Sequence, residues 1–225
     1  MRINKLKLSV FLVILFHVCG AVGILFTEYR QWFIDATPVT LLLMAALIVF
    51  TQKELNKHFF IFFLLSFTAG MLVEGIGVNT GILFGDYSYS NILGPGIFNI
   101  PFLIGINWFV IMYCCGCVTF IFEEWVMKKM GITDEISGSM QTISFVVDAA
   151  LLAVFFDWML EPAAIKLGFW KWSDDAVPLF NYLCWFLISA GLMTIFRKCN
   201  FNKHNIFALH LLIIQMLFFL LIETF

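Results

Sequence analysis

Long apolar runs alternate with short polar breaks along the chain, and the breaks carry most of the charge. A helix needs about 20 mainly apolar residues to cross the hydrocarbon of a bilayer. Runs of that kind fall at about residues 8–26, 34–51, 59–78, 101–122, 139–160, 179–196 and 206–222. The breaks between them are plain, as in Gln52-Lys53-Glu54, Lys128-Lys129 and Arg197-Lys198-Cys199-Asn200. Pro38 stands at the start of the second run, whose clean apolar part is short, but a proline in the first helical turn loses no hydrogen bond. The pattern predicts an all-α, polytopic membrane helix bundle of seven transmembrane helices, forming one domain over residues 1–225.

Composition agrees. Hydrophobic residues make up 62% of the 225 and charged residues 12%, with 28 phenylalanines. A soluble domain carries about 25% charged residues, and a water-soluble fold of this size has no interior able to hide so much apolar surface. The net charge of −2 provides no basic field for nucleic acid. The cysteines do not read as a disulfide framework, since Cys19, Cys114, Cys115 and Cys117 lie inside apolar runs.

The basic residues orient the spans. Arg2, Lys5, Lys7, Lys53, Lys57, Lys128, Lys129, Arg197, Lys198 and Lys203 would share one side, leaving only Arg30, Lys166 and Lys171 on the other. Cytoplasmic loops carry the excess of Lys and Arg, so the N-terminus is expected in the cytoplasm and the protein in the cell membrane. The basic start and apolar core of the first run resemble a signal peptide. Val18, where a lipoprotein site wants a small residue before Cys19, favours a retained helix.

Ionisable groups inside spans are costly and face a protein interior or a wet cavity. Three qualify: Glu74, Asp148 and Asp157. Glu74 lies about 6 Å of helix rise from the external end of its span. Asp157 is near the same end of span five, with Glu161 one turn further on the same face. Asp148 falls on roughly the opposite side of that helix and cannot share their pocket. The structural alternative pairs Glu74 and Asp157 with water or with Arg30, Lys166 or Lys171, and gives Asp148 a helix–helix hydrogen bond.

The two external loops are unusual. Segment 75–101 is rich in glycine, contains Pro95 and Pro101, and is too apolar for a solvated linker. Segment 157–181 has the same character and adds Trp158, Trp170 and Trp172. Such loops fold back on a bundle, their freed backbone buried in protein or lining a cavity. An aromatic belt at the interface would account for any one of these rings, but not for the neighbouring carboxylates and glycine turns. The segments read as two lips of one pocket.

Several chemistries lack their residues. The histidines (His17, His58, His204 and His210) are scattered rather than set at metal-ligand spacing. No strand–glycine turn–helix unit exists for a nicotinamide or flavin. Asp174-Asp175 lacks the further aspartate of a prenyltransferase motif, Cys114-Cys115-Gly116-Cys117 reads as small side chains packed mid-span, and the last span has no lysine for a retinal Schiff base. What survives is acid chemistry without metal or cofactor. A carboxylic acid in an apolar site can hold its proton near neutral pH and protonate an electron-rich alkene. Aromatic faces can steady the resulting cation, and a second carboxylate can orient water to attack it.

The run Glu74-Gly75-Ile76-Gly77-Val78-Asn79-Thr80-Gly81, with Phe84-Gly85-Asp86-Tyr87-Ser88-Tyr89, Leu93-Gly94-Pro95, Ile100-Pro101 and Asn107-Trp108, resembles the carotenoid biosynthesis hydratases. A second block matches too: Asp157-Trp158-Met159-Leu160-Glu161-Pro162-Ala163-Ala164, Gly168-Phe169-Trp170-Lys171-Trp172, Val177-Pro178, Asn181-Tyr182 and Trp185. Asn79 departs from the histidine expected in many relatives, and Glu161-Pro162 from a commoner Asp-Pro. The resemblance implies addition of water across the terminal C1–C2 double bond of an acyclic ψ end group on a membrane-dissolved carotenoid. It also implies work alongside other carotenoid-pathway enzymes. Under it, Glu74 or Asp157 would be the acid, and Asp86 or Glu161, with Asn79, would position water. Tyr87, Tyr89, Trp170 and Trp172 would line the end-group pocket, supported by Asn107, Trp108, Asn181 and Trp185. A cyclase or isomerase would use the same protonation, and a transporter or assembly subunit would use none of it.

Overall fold

A computed structural model describes residues 4–131, 138–174 and 176–225. Arg2 and Asp175 lie outside the described residues. Seven helices are long and apolar enough to cross a membrane. They are α1 (Lys5–Phe26), the pair α2 (Arg30–Asp35) and α3 (Thr37–Thr51) acting as one span, α4 (Lys57–Thr80), α5 (Phe102–Met130), α6 (Gly138–Lys166), α7 (Leu179–Lys198) and α8 (Ile206–Thr224).

The second span breaks at Ala36, and Pro38 sits in the first turn of α3, where its missing N–H costs nothing. Helices α5 and α6 run past the ends of their apolar runs. Hydropathy marks where a helix leaves lipid, whereas the helix itself stops only where its hydrogen bonds stop. For α5 that is Gly131, whose left-handed backbone (φ 64°) lets its N–H cap Met127 O.

Helix α5 is the central rod, packed against α3, α4, α6, α7 and α8. Its most apolar window is 72% buried, against 22–39% for the other spans. Its small residues make this possible. A side chain at Gly116 would meet the ring of Phe196 at 2.7 Å, so the Cys114–Cys117 stretch is a seat for α7.

The ends of the bundle differ in charge. Lys5 donates to Phe50 O, Asn56 to Asn200 O and Gln52 to Asn202 O, which ties the chain's basic breaks together at one end. At the other, Arg30 donates to Lys166 O and Lys166 to Glu223 O.

That second end carries two small ladders that hydropathy did not foretell. Strand β1 (Tyr87–Tyr89) follows α4, and β2 (Gly96–Ile97) and β3 (Ile100–Pro101) form a hairpin before α5. Strand β4 (Trp170–Trp172) follows α6 and pairs antiparallel with β1, Tyr87 opposite Trp172 and Tyr89 opposite Trp170. Ser173 N–H to Asp86 O and Ser90 N–H to Phe169 O extend the ladder at 3.0 and 2.9 Å. Side chains alternate across a strand, so Tyr-Ser-Tyr and Trp-Lys-Trp turn four aromatic rings to one face and Ser88 and Lys171 to the other.

Candidate active site

Four aromatic rings on the β1–β4 ribbon cover the ends of α4, α5, α6 and α7, and three carboxyl groups lie beneath them. Glu74, Asp157 and Glu161 are 5%, 1% and 4% exposed, and all three line one cavity of about 30 Å³. Its remaining walls include Tyr87, Tyr89, Trp108, Trp170, Trp172 and Trp185. A space of this size holds one or two waters.

Each carboxyl group meets neutral donors. Glu74 Oε2 accepts from the hydroxyl of Tyr87 and from that of Tyr89, the latter at 2.8 Å. Glu74 Oε1 accepts from the Trp108 indole at 2.9 Å. Glu161 Oε2 accepts from the indoles of Trp170 and Trp172, both at 2.9 Å. Asp157 accepts one bond, from the Asn181 amide at 2.8 Å. No lysine, arginine or histidine lines the cavity among the described residues, so the expected alternative of structural ion pairs to Arg30, Lys166 or Lys171 does not arise. Burial, and then the nearby Glu74, push the hydroxyls of Tyr87 and Tyr89 far above the ordinary tyrosine range. Both phenols therefore stay protonated as donors.

Local sequence explains the placement. Asp157 and Glu161 are one helical turn apart on α6 and face the same way. Gly77 has no side chain because one would meet the Tyr87 hydroxyl at 2.8 Å. A side chain at Gly70 would overlap the Trp108 indole, so that glycine lets the ring lie against α4, within reach of Glu74. Trp108 in turn stacks on Trp185, with ring centres 4.1 Å apart and planes 7° from parallel.

Of the residues singled out from the sequence, Glu74, Asp157, Glu161, Tyr87, Tyr89, Asn107, Trp108, Trp170, Trp172, Asn181 and Trp185 are brought together here. Two are not. Asp86 is exposed and takes part through its backbone carbonyl, in the ladder to Ser173. Asn79 is exposed too. Its amide donates to Gly75 O and Phe98 O and its oxygen accepts from Asn99, which pins the β2–β3 hairpin rather than reaching the cavity. Asp86 sits at a loop position whose direction depends on the left-handed Phe84 (φ 65°) before it. Asn79 is in the last turn of α4, five residues after Glu74 and so roughly 140° around the helix from it. Asp148 lies elsewhere, exposed and accepting from Ser144. Asp174 is exposed.

The family model described as "Carotenoid biosynthesis protein" matches residues 36–225. The chain belongs to that family. The match takes in every helix that supplies a carboxyl group to the cavity and both strands of its cover, leaving out α1 and α2. Comparison with curated proteins and with solved structures found no match.

A second space adjoins the first, and sequence reasoning missed it. It is an apolar slot of about 80 Å³ whose walls include Phe16, His17, Gly20, Thr40, Gln215 and Phe218. Ile104, Asn107, Leu160 and Trp170 line both slot and carboxyl cavity. The hints in the sequence were polar residues within spans, His17 in the first and Gln215 in the last; the rest of the slot arises where α1, α3, α5 and α8 meet.

Proposed function

We propose that this member of the carotenoid biosynthesis family is a cofactor-independent hydratase, adding water across the terminal C1–C2 double bond of an acyclic ψ end group. The observation that carries the reading is three buried carboxyl groups, held only by neutral donors, around a water-sized cavity that adjoins an apolar slot. With no basic side chain among the described residues that line it, three carboxyl groups in one apolar chamber do not all ionise, because each charge opposes the next. Glu74 has three donors and Glu161 two, which favours their anions; Asp157 has one. Asp157 is thus the acid.

Its proton passes to C2 and leaves a tertiary cation at C1. The Glu74 carboxylate and the stacked faces of Trp108 and Trp185 stabilise that charge. Water held by Glu161, and by the Asn107 amide at the junction of the two spaces, adds to C1. Glu161 takes the proton released, which returns to Asp157 one turn away. The sum is one hydrogen gained at C2 and one hydroxyl at C1, with the acids restored. Excess basic residues at the far end of the bundle support a cytoplasmic N-terminus and a chamber near the outer face of the cell membrane.

The test is expression in lycopene-producing bacteria with mass spectrometry of the pigments. Heavy-oxygen water should place its label in a 1-hydroxyl group, and heavy water should leave one deuterium at C2. A cyclised product of unchanged mass, or an unlabelled hydroxyl, would overturn the proposal.

A further inference from the structure

The slot is too large and too apolar to be incidental. Protein interiors pack with few voids larger than a water molecule, yet this one measures about 80 Å³. Most of its wall is hydrocarbon, and two of its polar groups are turned to their own helices: His17 Nδ1 bonds Val13 O at 2.8 Å, and the Thr40 hydroxyl donates to Ala36 O at 3.3 Å. Water needs two to four polar partners to occupy such a space. An apolar chain does not.

The slot also leads somewhere at both ends. At one it shares four residues with the carboxyl chamber. At the other it shares His17 and Phe218 with a groove of about 420 Å³ on the outer face of α1 and α8, lined by Ile14, Val18, Leu217 and Leu221 among others. The His17 and Phe218 rings meet edge-on, with centres 5.5 Å apart, and stand between groove and slot. His17 lies nine residues from the end of α1, about 14 Å down the helix. The groove runs from that depth to the outer end of α1 at Phe26, and its junction with the slot lies near mid-bilayer. Gln215, 2% exposed, lines the slot at comparable depth, and its amide oxygen has no hydrogen-bond partner among the described residues.

We infer that groove and slot form one lateral tunnel that binds the polyene chain of an isoprenoid, taken from the bilayer between α1 and α8 and threaded so that its end group enters the carboxyl chamber. The inference rests on the reading of that chamber as the place of reaction, and it adds the route and the binding site of the chain. It also assigns a function to α1, which lies outside the matched family region.

Gly20 on α1 and Thr40 on α3 line the slot, and neither lines the carboxyl chamber. A Cβ at Gly20 would sit 3.7 Å from the Phe218 ring, an ordinary contact, so Gly20→Ala should fold normally. Gly20→Leu and Thr40→Leu should plug the tunnel. The measurement is visible circular dichroism of lycopene bound to the purified full chain in phospholipid nanodiscs, with gel filtration confirming that each variant is folded. The expected result is a loss of at least about 10–200-fold in both leucine variants, the range for misfitting one small group in an apolar pocket, and a smaller loss in Gly20→Ala.

Wild-type binding in the folded leucine variants would overturn the tunnel, and would mean that lipid acyl chains fill the slot. Hydration assays on the same samples separate the two claims. Slot-dependent binding without hydroxylated product would leave the tunnel standing and remove the hydratase reading. Hydration by wild type with unimpaired binding in the plugged variants would do the reverse.

Discussion

The two ends of the bundle handle buried polarity in opposite ways. At the basic end, Glu123 pairs with the Arg197 cation at 3.2 Å, and Glu124 contacts the His204 imidazole. The neutral groups there also close on one another. The Tyr113 hydroxyl donates to Gln52 at 2.6 Å and accepts from Asn205 at 3.0 Å, and Asn205 reaches Thr51 at 3.1 Å. At the carboxyl end, three acids are more deeply buried and meet phenols, indoles and an amide only. A cation would hold each carboxylate ionised and end its use as an acid; neutral donors orient it and leave its proton exchangeable. One end closes the fold, and under the proposed reaction the other keeps protons exchangeable.

The largest expected effect comes from removing the acid. Asp157→Asn should cut product by about 10²–10⁴-fold, the usual worth of a general acid, with membrane expression unchanged; wild-type turnover would remove Asp157 from the mechanism. Giving the carboxyl end the character of the basic one comes next. Asn181→Lys sets an ammonium beside Asp157, and pigment analysis should show a loss approaching that of Asp157→Asn.

Smaller effects sharpen the contrast. Trp172→Phe leaves Glu161 with one indole donor, and turnover should fall by about tenfold, the equivalent of one modest hydrogen bond of about 1.4 kcal/mol. Tyr113→Phe should do the opposite. It leaves the Gln52 side-chain oxygen without its donor, costing about 1–3 kcal/mol of stability, read as a lower unfolding midpoint in detergent, while turnover per folded molecule stays at the wild-type level. Least of all should be His204→Ala. Its contact with Glu124 is nearly half exposed, and such pairs contribute about 0–1 kcal/mol.

Much of this architecture could be read from the chain. Seven apolar runs became seven spans, because crossing lipid demands length and hydrophobicity whatever the neighbours are. The i, i+4 spacing of Asp157 and Glu161 put both on one face of α6, since helix geometry is local. Even the inward turn of Tyr87, Tyr89, Trp170 and Trp172 was written in the alternation Tyr-Ser-Tyr and Trp-Lys-Trp, although hydropathy scanning for membrane helices passes over three-residue strands. Asp86 and Asn79 misled for a related reason. Both flank the decisive residues, but Asp86 is a loop residue, whose direction follows from backbone turns set by its neighbours, and Asn79 is on α4 at five residues from Glu74, a spacing that turns it away from that face.

Sequence alone, then, determined the membrane solvent, the number of rods and which carboxyl groups lie within them, because each follows from composition or from contacts within one helix. Tertiary structure decided that Glu74 on α4 joins Asp157 and Glu161 on α6, that β1 and β4 close over them, and that an apolar slot from α1, α3, α5 and α8 runs into the same place. Those are meetings between segments as far apart as Glu74 and Glu161, or His17 and Phe218. They are set by packing around α5, where Gly70 and Gly116 allow close approach and bulkier residues would not.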